Sequence, residues 1–368
     1  MSSWYKLKNT DQIDTPCLLV YPDRIEENIR KMLSMVGGDP ARLRPHVKTY
    51  KMQEVVDMQQ AAGIRKFKFA TIAEGEMLGL AKAKEALLAY QPLGPKIDRL
   101  LQLTEMFPDT HYAALVDNQA SAEAISDRFA AAGKPLSVYL DLDVGMHRTG
   151  IPPNDRALEL VLYCEKLPGV DPVGLHVYDG HLRQEIKERQ KASDEAFLPV
   201  TDLAKQILAT TGKTVKIVAG GSPTFPVHAQ RAGVECSPGT CLLWDWGYGR
   251  KLAEQEFLHA ALVLCRVISH PGEGLLCVDL GHKSVAAENP FPRVHFLNLP
   301  DAVQISQSEE HLVLEVDQPE AYPVGTVLYG LPLHICPTVA LYERAQVVED
   351  GEVVDTWRVV ARDRMITV

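Results

Sequence analysis

The sequence has no Cys-x-x-Cys pair, and its seven cysteines are odd in number and scattered. That excludes a disulfide-built scaffold and fits a reducing compartment, so a cytoplasmic location is expected. There is no run of Lys or Arg, and the formal charge is -10. Neither a nucleic acid nor a membrane surface is therefore expected as a partner. The first residues, Met1 to Lys8, hold no apolar stretch of signal-peptide length. No segment is long and apolar enough to span a bilayer. Low-complexity tracts and short repeats are lacking too. What remains, 46% hydrophobic and 23% charged over 368 residues, is the composition of a globular protein with room for two domains.

The stretch Arg44-Pro-His-Val-Lys48-Thr-Tyr-Lys51 stands out. A lysine at a strand end that faces a pocket can have its pKa lowered by desolvation, and a neutral amine is what an aldehyde cofactor needs to form an imine. The plain alternative is a surface lysine. Around it runs a rhythm of short apolar strand, polar loop and amphipathic helix. Strands are expected at Leu43–Val47, Lys66–Ala70, Ala86–Tyr90, His111–Val116, Leu136–Leu142, Val173–Tyr178, Val215–Ala219 and Val234–Cys236, with helices between. Asn118 and Asn154 are placed to cap helices, and the run from His181 to about Thr211 reads as the most helical part of the chain. About eight such units predict an α/β fold, a (β/α)8 TIM-like barrel over residues 22–248, with an open doubly wound sheet as the alternative. Beyond Tyr248 the segments Leu258–Ser269, Gly274–Asp279, Leu312–Val316, Thr326–Tyr329 and Tyr342–Val360 are short and β-rich, with no convincing helix pattern. They predict a C-terminal mostly β domain, residues 249–368, joined by the N-terminal strand of residues 1–21.

The C-terminal ends of the strands then name the site. Lys48 ends the first strand. Arg148 lies past the fifth, and Tyr178 ends the sixth. The seventh leads into Gly220-Gly221-Ser222-Pro223-Thr224 and the eighth into Ser237-Pro238-Gly239-Thr240. Loops of small and hydroxyl residues after the last two strands are where barrels often take phosphate. With a candidate imine lysine after the first strand, they point to pyridoxal phosphate. Arg148 and Tyr178 could contact its ring. The alternatives are a salt bridge from Arg148 to Asp141 or Asp143, and ordinary packing for Tyr178. In the β domain, Leu333-His334-Ile-Cys336 would put His334 and Cys336 on one side of an extended segment. There the two could hold a divalent ion, with zinc favoured by imidazole and thiolate. Alone, such a pair is more often coincidence.

These motifs, together with Ala70-Thr-Ile-Ala-Glu74, Tyr178-Asp-Gly-His181 and Asp279-Leu-Gly-His-Lys283-Ser, resemble the D-threonine aldolase and D-serine dehydratase family over nearly the whole chain. These are pyridoxal-phosphate enzymes with an alanine-racemase-like barrel and a β domain. The resemblance implies that Lys48 carries the cofactor and that His334 and Cys336 bind the metal, zinc or else manganese or magnesium. It implies that Arg148 and Tyr178 hold the ring, and that Gly221, Ser222, Thr224, Gly239 and Thr240 are phosphate candidates. It implies a lyase acting on a small D-3-hydroxy amino acid by β-elimination or retro-aldol cleavage, and a homodimer. Tyr50 departs from the family, which usually has a second histidine there. Two other readings stay open. One is a metal-free racemase with Tyr322, Tyr329 or Tyr342 as second base; the other is a non-catalytic protein that carries the same cofactor.

Overall fold

The computed structural model describes residues 4–368, so the first three residues of the expected β domain lie outside the described residues. The chain divides into two compact units. One comprises Lys31–Lys48, Val56–Gly239 and Asp363–Val368. The other comprises the N-terminal stretch to Arg30, Thr49–Val55 and Thr240–Arg362.

The second unit opens with strand β1 (Cys17–Val20). The barrel unit then contributes β2 (Lys66–Phe69), β3 (Glu85–Leu88), β4 (His111–Val116), β5 (Leu136–Leu142), β6 (Val170–Val177), β7 (Lys216–Ala219) and β8 (Val234–Cys236). These seven are parallel and pair in sequence order from β2 to β8. The expected first strand, Leu43–Val47, is not a continuous strand. It bridges both edges instead, with Leu43 opposite Cys236 and His46 opposite Lys68. The Arg44 N–H donates to Cys236 O at 2.8 Å, and the Lys68 N–H donates to Pro45 O at 2.8 Å. Pro45 explains the irregularity, because it has no N–H to give a ladder.

Buried charge reinforces this closure. Arg44 is 1% exposed. Its guanidinium donates to Glu235 at 2.8 Å and to Glu85 at 2.6 Å, and Lys66 reaches Glu235 at 2.5 Å. The barrel interior is filled by Leu87, Ala113, Leu115, Tyr139 and Val218, as a closed parallel sheet requires. Helices follow the strands where the capping signals fall. Asn118 accepts from the Ser121 N–H, and Asn154 from the Arg156 N–H. The long helix spans Ile186–Thr211 and stops at Gly212, whose φ is +71°.

The second unit continues with β9 (Ala261–Ser269), β10 (Leu275–Val278), β11 (Val294–Phe296), β12 (Val303–Gln307), β13 (Leu312–Glu315), β14 (Val327–Pro332), β15 (Arg344–Glu349) and β16 (Glu352–Arg358). The main path runs β12-β13-β10-β9-β1-β15-β16, with β14 joining β9 to β11. β1 lies parallel to β15 and antiparallel to β9, so the N-terminal strand sits within this sheet. β9 alternates sides, as a strand with both faces covered must. Val263, Cys265 and Val267 pack on one face, and Leu262 and Leu264 on the other. The unit is not free of helix: Trp246–Lys251 and Ile335–Val339 are short helices that the sequence pattern did not reveal. Among the described residues no helix is long and apolar enough to cross a membrane.

Candidate active site

In the barrel unit a cavity of about 380 Å³ is lined by Lys48, Lys68, Gln91, Asp141, Arg148 and Tyr178, among others. Lys48 sits on the one-turn helix Val47–Thr49, directly after the barrel-closing stretch. Its backbone N–H donates to His46 Nδ1 at 3.3 Å. Arg148 stacks on Tyr178, its guanidinium carbon 4.7 Å from the ring centroid. Neither aspartate weighed as its salt-bridge partner is paired with it. Asp143 takes the His147 ring and the N–H groups of Gly145 and His147. Asp141 is taken up by His176, Gln91 and Thr149.

The glycine loops lie beside Tyr178. A side chain on Gly221 would meet the Tyr178 ring at 2.9 Å, so only glycine fits. The Gly221 N–H is buried and finds no acceptor among the described residues, which suits an anionic ligand. Ser222 accepts from the Gly239 N–H at 3.3 Å, which ties the two loops together. The Thr224 hydroxyl is already committed, donating to Asp179 at 2.5 Å. Asp179 also receives His228 at 2.9 Å and Ser193 at 3.1 Å. Burial pushes the Asp179 carboxyl up, but these hydrogen bonds and the His228 charge outweigh it and hold its pKa low. Asp179 and His228 therefore brace the loop from below, a role the sequence did not announce. These features, an amine, a loop with an unpartnered buried N–H and a cation-stacked ring, fit a phosphorylated aromatic aldehyde.

Two further residues, His176 and Lys68, were missed. His176 Nδ1 lies 2.7 Å from Asp141 Oδ1, and its Nε2 lies 3.3 Å from Lys68 Nζ. Burial, then the neighbouring Lys48 charge, lowers the Lys68 pKa to about 7, against the pull of Asp141. Burial and the Lys68 charge also lower His176. The only hint was a lysine in the apolar run Phe67-Lys68-Phe69, on a strand whose alternate residues face a barrel lumen.

The second unit holds the other candidates. His334 and Cys336 are not on an extended segment. His334 is the N-cap of the short helix Ile335–Val339, and Cys336 lies in its first turn. Pro337, which needs no N–H partner there, favours the turn. Asp245 accepts from the Ile335 N–H at 3.2 Å, and Thr338 Oγ1 donates to His334 O at 2.8 Å. The thiol still acts on the imidazole. Desolvation pulls the His334 imidazole down, but hydrogen bonds to Cys336 and Glu288 raise it to about 9. The ring is nearly half exposed, so solvent trims that rise. Glu288 Oε1 lies 2.6 Å from His334 Nδ1. Cys336 Sγ lies 3.2 Å from Thr49 Oγ1 and 3.5 Å from Thr240 Oγ1. Imidazole beside thiol, with the far imidazole nitrogen held by a carboxylate, is a donor set that fits zinc. Among the described residues no group of three or more His, Cys, Asp or Glu gathers around an ion site.

Thr240, the last phosphate candidate, therefore has its hydroxyl at Cys336, and Tyr50 is fully buried. Of the tyrosines weighed as a racemase base, Tyr342 donates to Ser284 O at 2.7 Å, and Tyr329 accepts from the Leu7 N–H at 3.0 Å. Tyr322 packs against the hydrophobic core. A larger hollow, about 650 Å³, lies around Trp4, Lys6 and Tyr21 in the second unit, but it carries none of the strand-end motifs.

The profile of the alanine racemase N-terminal domain matches residues 20–243, and that of a putative serine dehydratase domain matches residues 260–348. The chain is 28% identical over 359 residues to a D-threonine aldolase of Arthrobacter sp, covering 95% of this chain and 93% of that one. It is 26% identical over 390 residues to the D-threo-3-hydroxyaspartate dehydratase of Delftia sp. (strain HT23), covering 94% and 97%. The solved structure of that dehydratase superposes with a TM-score of 0.83 at 26% identity, again covering 94% and 97%. The same enzyme has been solved as a histidine-to-alanine form, and as a metal-free form with a cysteine two positions later changed to alanine. A D-threonine aldolase of Filomicrobium marinum shares the fold, with a TM-score of 0.88 at 24% identity over 98% of each chain.

Proposed function

We propose, because the chain belongs to the family of the alanine racemase N-terminal domain, that it is a lyase dependent on pyridoxal phosphate and a divalent metal, acting on D-3-hydroxy amino acids. The observation that carries this reading is the pair of motifs on one chain: Lys48 in the barrel cavity, and His334 with Cys336 at the start of one short helix, the imidazole held by Glu288. Relatives covering nearly the whole chain are a D-threonine aldolase and a D-threo-3-hydroxyaspartate dehydratase, and the latter has a substituted histidine and cysteine at the same two-residue spacing.

Lys48 would hold the cofactor, Arg148 and Tyr178 would hold its ring, and the Gly221–Thr224 and Gly239–Thr240 loops would take its phosphate, Thr224 and Thr240 by backbone since their hydroxyls are engaged. The cofactor, when bound, supplies an electron sink at the substrate Cα. Lys48 Nζ, once free, takes the α-proton. His334 and Cys336 would hold a metal, zinc by donor type, which would supply a Lewis acid for the 3-hydroxyl. Loss of the α-proton and of hydroxide gives a keto acid and ammonia after hydrolysis. Loss of the hydroxyl proton, cleavage of Cα–Cβ and return of a proton to Cα give glycine and an aldehyde. Product analysis with D-serine and D-threonine, with and without added zinc, tests the reading. A keto acid means elimination, glycine means aldol cleavage, and no turnover with either substrate refutes both.

The racemase alternative is disfavoured by the engaged hydroxyls of Tyr329 and Tyr342. The cysteines, free among the described residues, support a cytoplasmic setting. A homodimer is proposed by analogy of fold, and sedimentation of a fully active monomer would refute it.

A further inference from the structure

The barrel cavity holds two amines where the proposed chemistry uses one. Lys68 is 2% exposed, yet it lines the same cavity as Lys48. A buried lysine without a carboxylate against it needs a reason, since burial disfavours its charge. Its partner is His176 Nε2 at 3.3 Å. Carboxylate oxygens of Asp141 only accept, so the His176 Nδ1 at 2.7 Å carries the hydrogen there. Nε2 of the neutral ring is then an acceptor, and it binds Lys68 whether the amine is charged or not. Asp141 is itself fixed by Gln91 at 3.0 Å and Thr149 at 2.8 Å. The line Asp141–His176–Lys68 thus tolerates both charge states of one amine without rearrangement.

We propose that Lys68 is a positioning residue of this cavity: a proton-switched positive charge, braced by His176 and Asp141, that sets the protonation of the cofactor held on Lys48. The inference rests on the proposed pyridoxal-phosphate function. The charged and titratable groups that face Lys68 are Lys48 and Arg44 from the barrel-closing stretch, His176 from β6, Asp141 from β5, Arg148 from the loop after β5 and Tyr178 just past β6, its ring centroid 5.8 Å from the amine. His46 lines the same cavity. Lys48, Arg148 and Arg44 disfavour the proton on Lys68, and Asp141 favours it. A structural lysine would only fill space. A switched charge makes the cofactor's electronic state depend on pH in the neutral range, through a residue that never bonds to it.

The visible absorbance of the purified holoenzyme, followed across neutral pH, tests this. The wild type should pass between two spectral forms with a midpoint near neutrality. Lys68→Met, close in shape and never charged, should lose that transition and stay in the high-pH form. Asp141→Asn removes the group that favours the proton, so its midpoint should move to lower pH, by about one unit. It also serves where Lys68→Met fails to fold. A flat wild-type profile, a coloured Lys68→Met protein with the wild-type midpoint, or an unmoved midpoint in Asp141→Asn overturns the inference alone. A wild-type protein that takes up no cofactor overturns the proposed function and this inference with it.

Discussion

The barrel cavity and the His334 motif both gather polar side chains, but they hold them differently. In the barrel, Arg44, Lys68, His176 and Asp141 are all at least nine-tenths buried and bonded to one another or to neighbouring strands. Such a network is fixed when the sheet closes, because an unpaired member would be costly. His334 and Cys336 stand on the first turn of a five-residue helix, with the imidazole and Glu288 both nearly half exposed. A donor set of that kind would depend on an ion to complete it, since metal binding requires the ligands to be deprotonated. The contrast separates two tasks. On the proposed reading, the barrel residues would hold the cofactor and those of the second unit would act on the substrate hydroxyl. Loss of colour should therefore follow damage to the first region, and loss of turnover with colour retained should follow damage to the second.

The sharpest break is Lys48→Ala. It should abolish the visible absorbance and its loss on borohydride treatment, and with them all turnover. A yellow, active Lys48→Ala protein would remove the barrel from the chemistry. Next in size is Cys336→Ala, which should leave the protein folded and yellow. Turnover of a 3-hydroxy D-amino acid should fall about a thousandfold, since a Lewis acid supplies several kcal/mol of charge stabilisation. Wild-type rates in this variant and in chelator-treated enzyme would leave the motif as packing only. Cys336→Asp should regain part of the rate with a preference shifted towards manganese or magnesium, because carboxylate is the harder donor. Arg44→Ala acts on the barrel alone. It takes the buried guanidinium from Glu235 and Glu85 and leaves them only Lys66 and Lys216, so urea unfolding should show a loss of about 3 kcal/mol, the lower end for breaking a buried pair. A loss under about 1 kcal/mol would mean that the bridged stretch closes the barrel without its charges.

Sequence pattern reached the barrel well, because its signals are local. His111–Val116, Leu136–Leu142 and Val234–Cys236 are strands over the expected residues. The caps Asn118 and Asn154 act as their residue types suggest. The closing stretch fell short of a strand because of Pro45, which the sequence displayed but which did not by itself distinguish an edge from a bridge. Lys68 and His176 were illegible for a different reason. Polar residues alternating with apolar ones normally mark a solvent face, and only closure of the sheet turns that face inward. His334 and Cys336 stand on a different backbone from the one expected: the extended geometry assumed for them is a helix start, with His334 as its N-cap and Cys336 in its first turn.

Glu288 gives the smallest and most discriminating test of the contrast. Its carboxylate accepts from His334 Nδ1 at 2.6 Å, which leaves Nε2 as the nitrogen available to an ion. As a surface ion pair it should contribute almost nothing to stability, given side chains 46% and 47% exposed. As an orienting partner of a metal ligand it should matter more, because it fixes the ring's tautomer and raises its basicity. Glu288→Gln keeps an acceptor and removes the charge, so the expected effect is about a tenfold weaker zinc affinity, the lower end for such partners. Titration of zinc into chelator-stripped protein measures it, and the cofactor absorbance should not change. Equal loss of zinc and of colour would mean that the two regions are one coupled site, not two with separate tasks. Unchanged zinc affinity would mean that His334 is oriented by its place at the helix start alone.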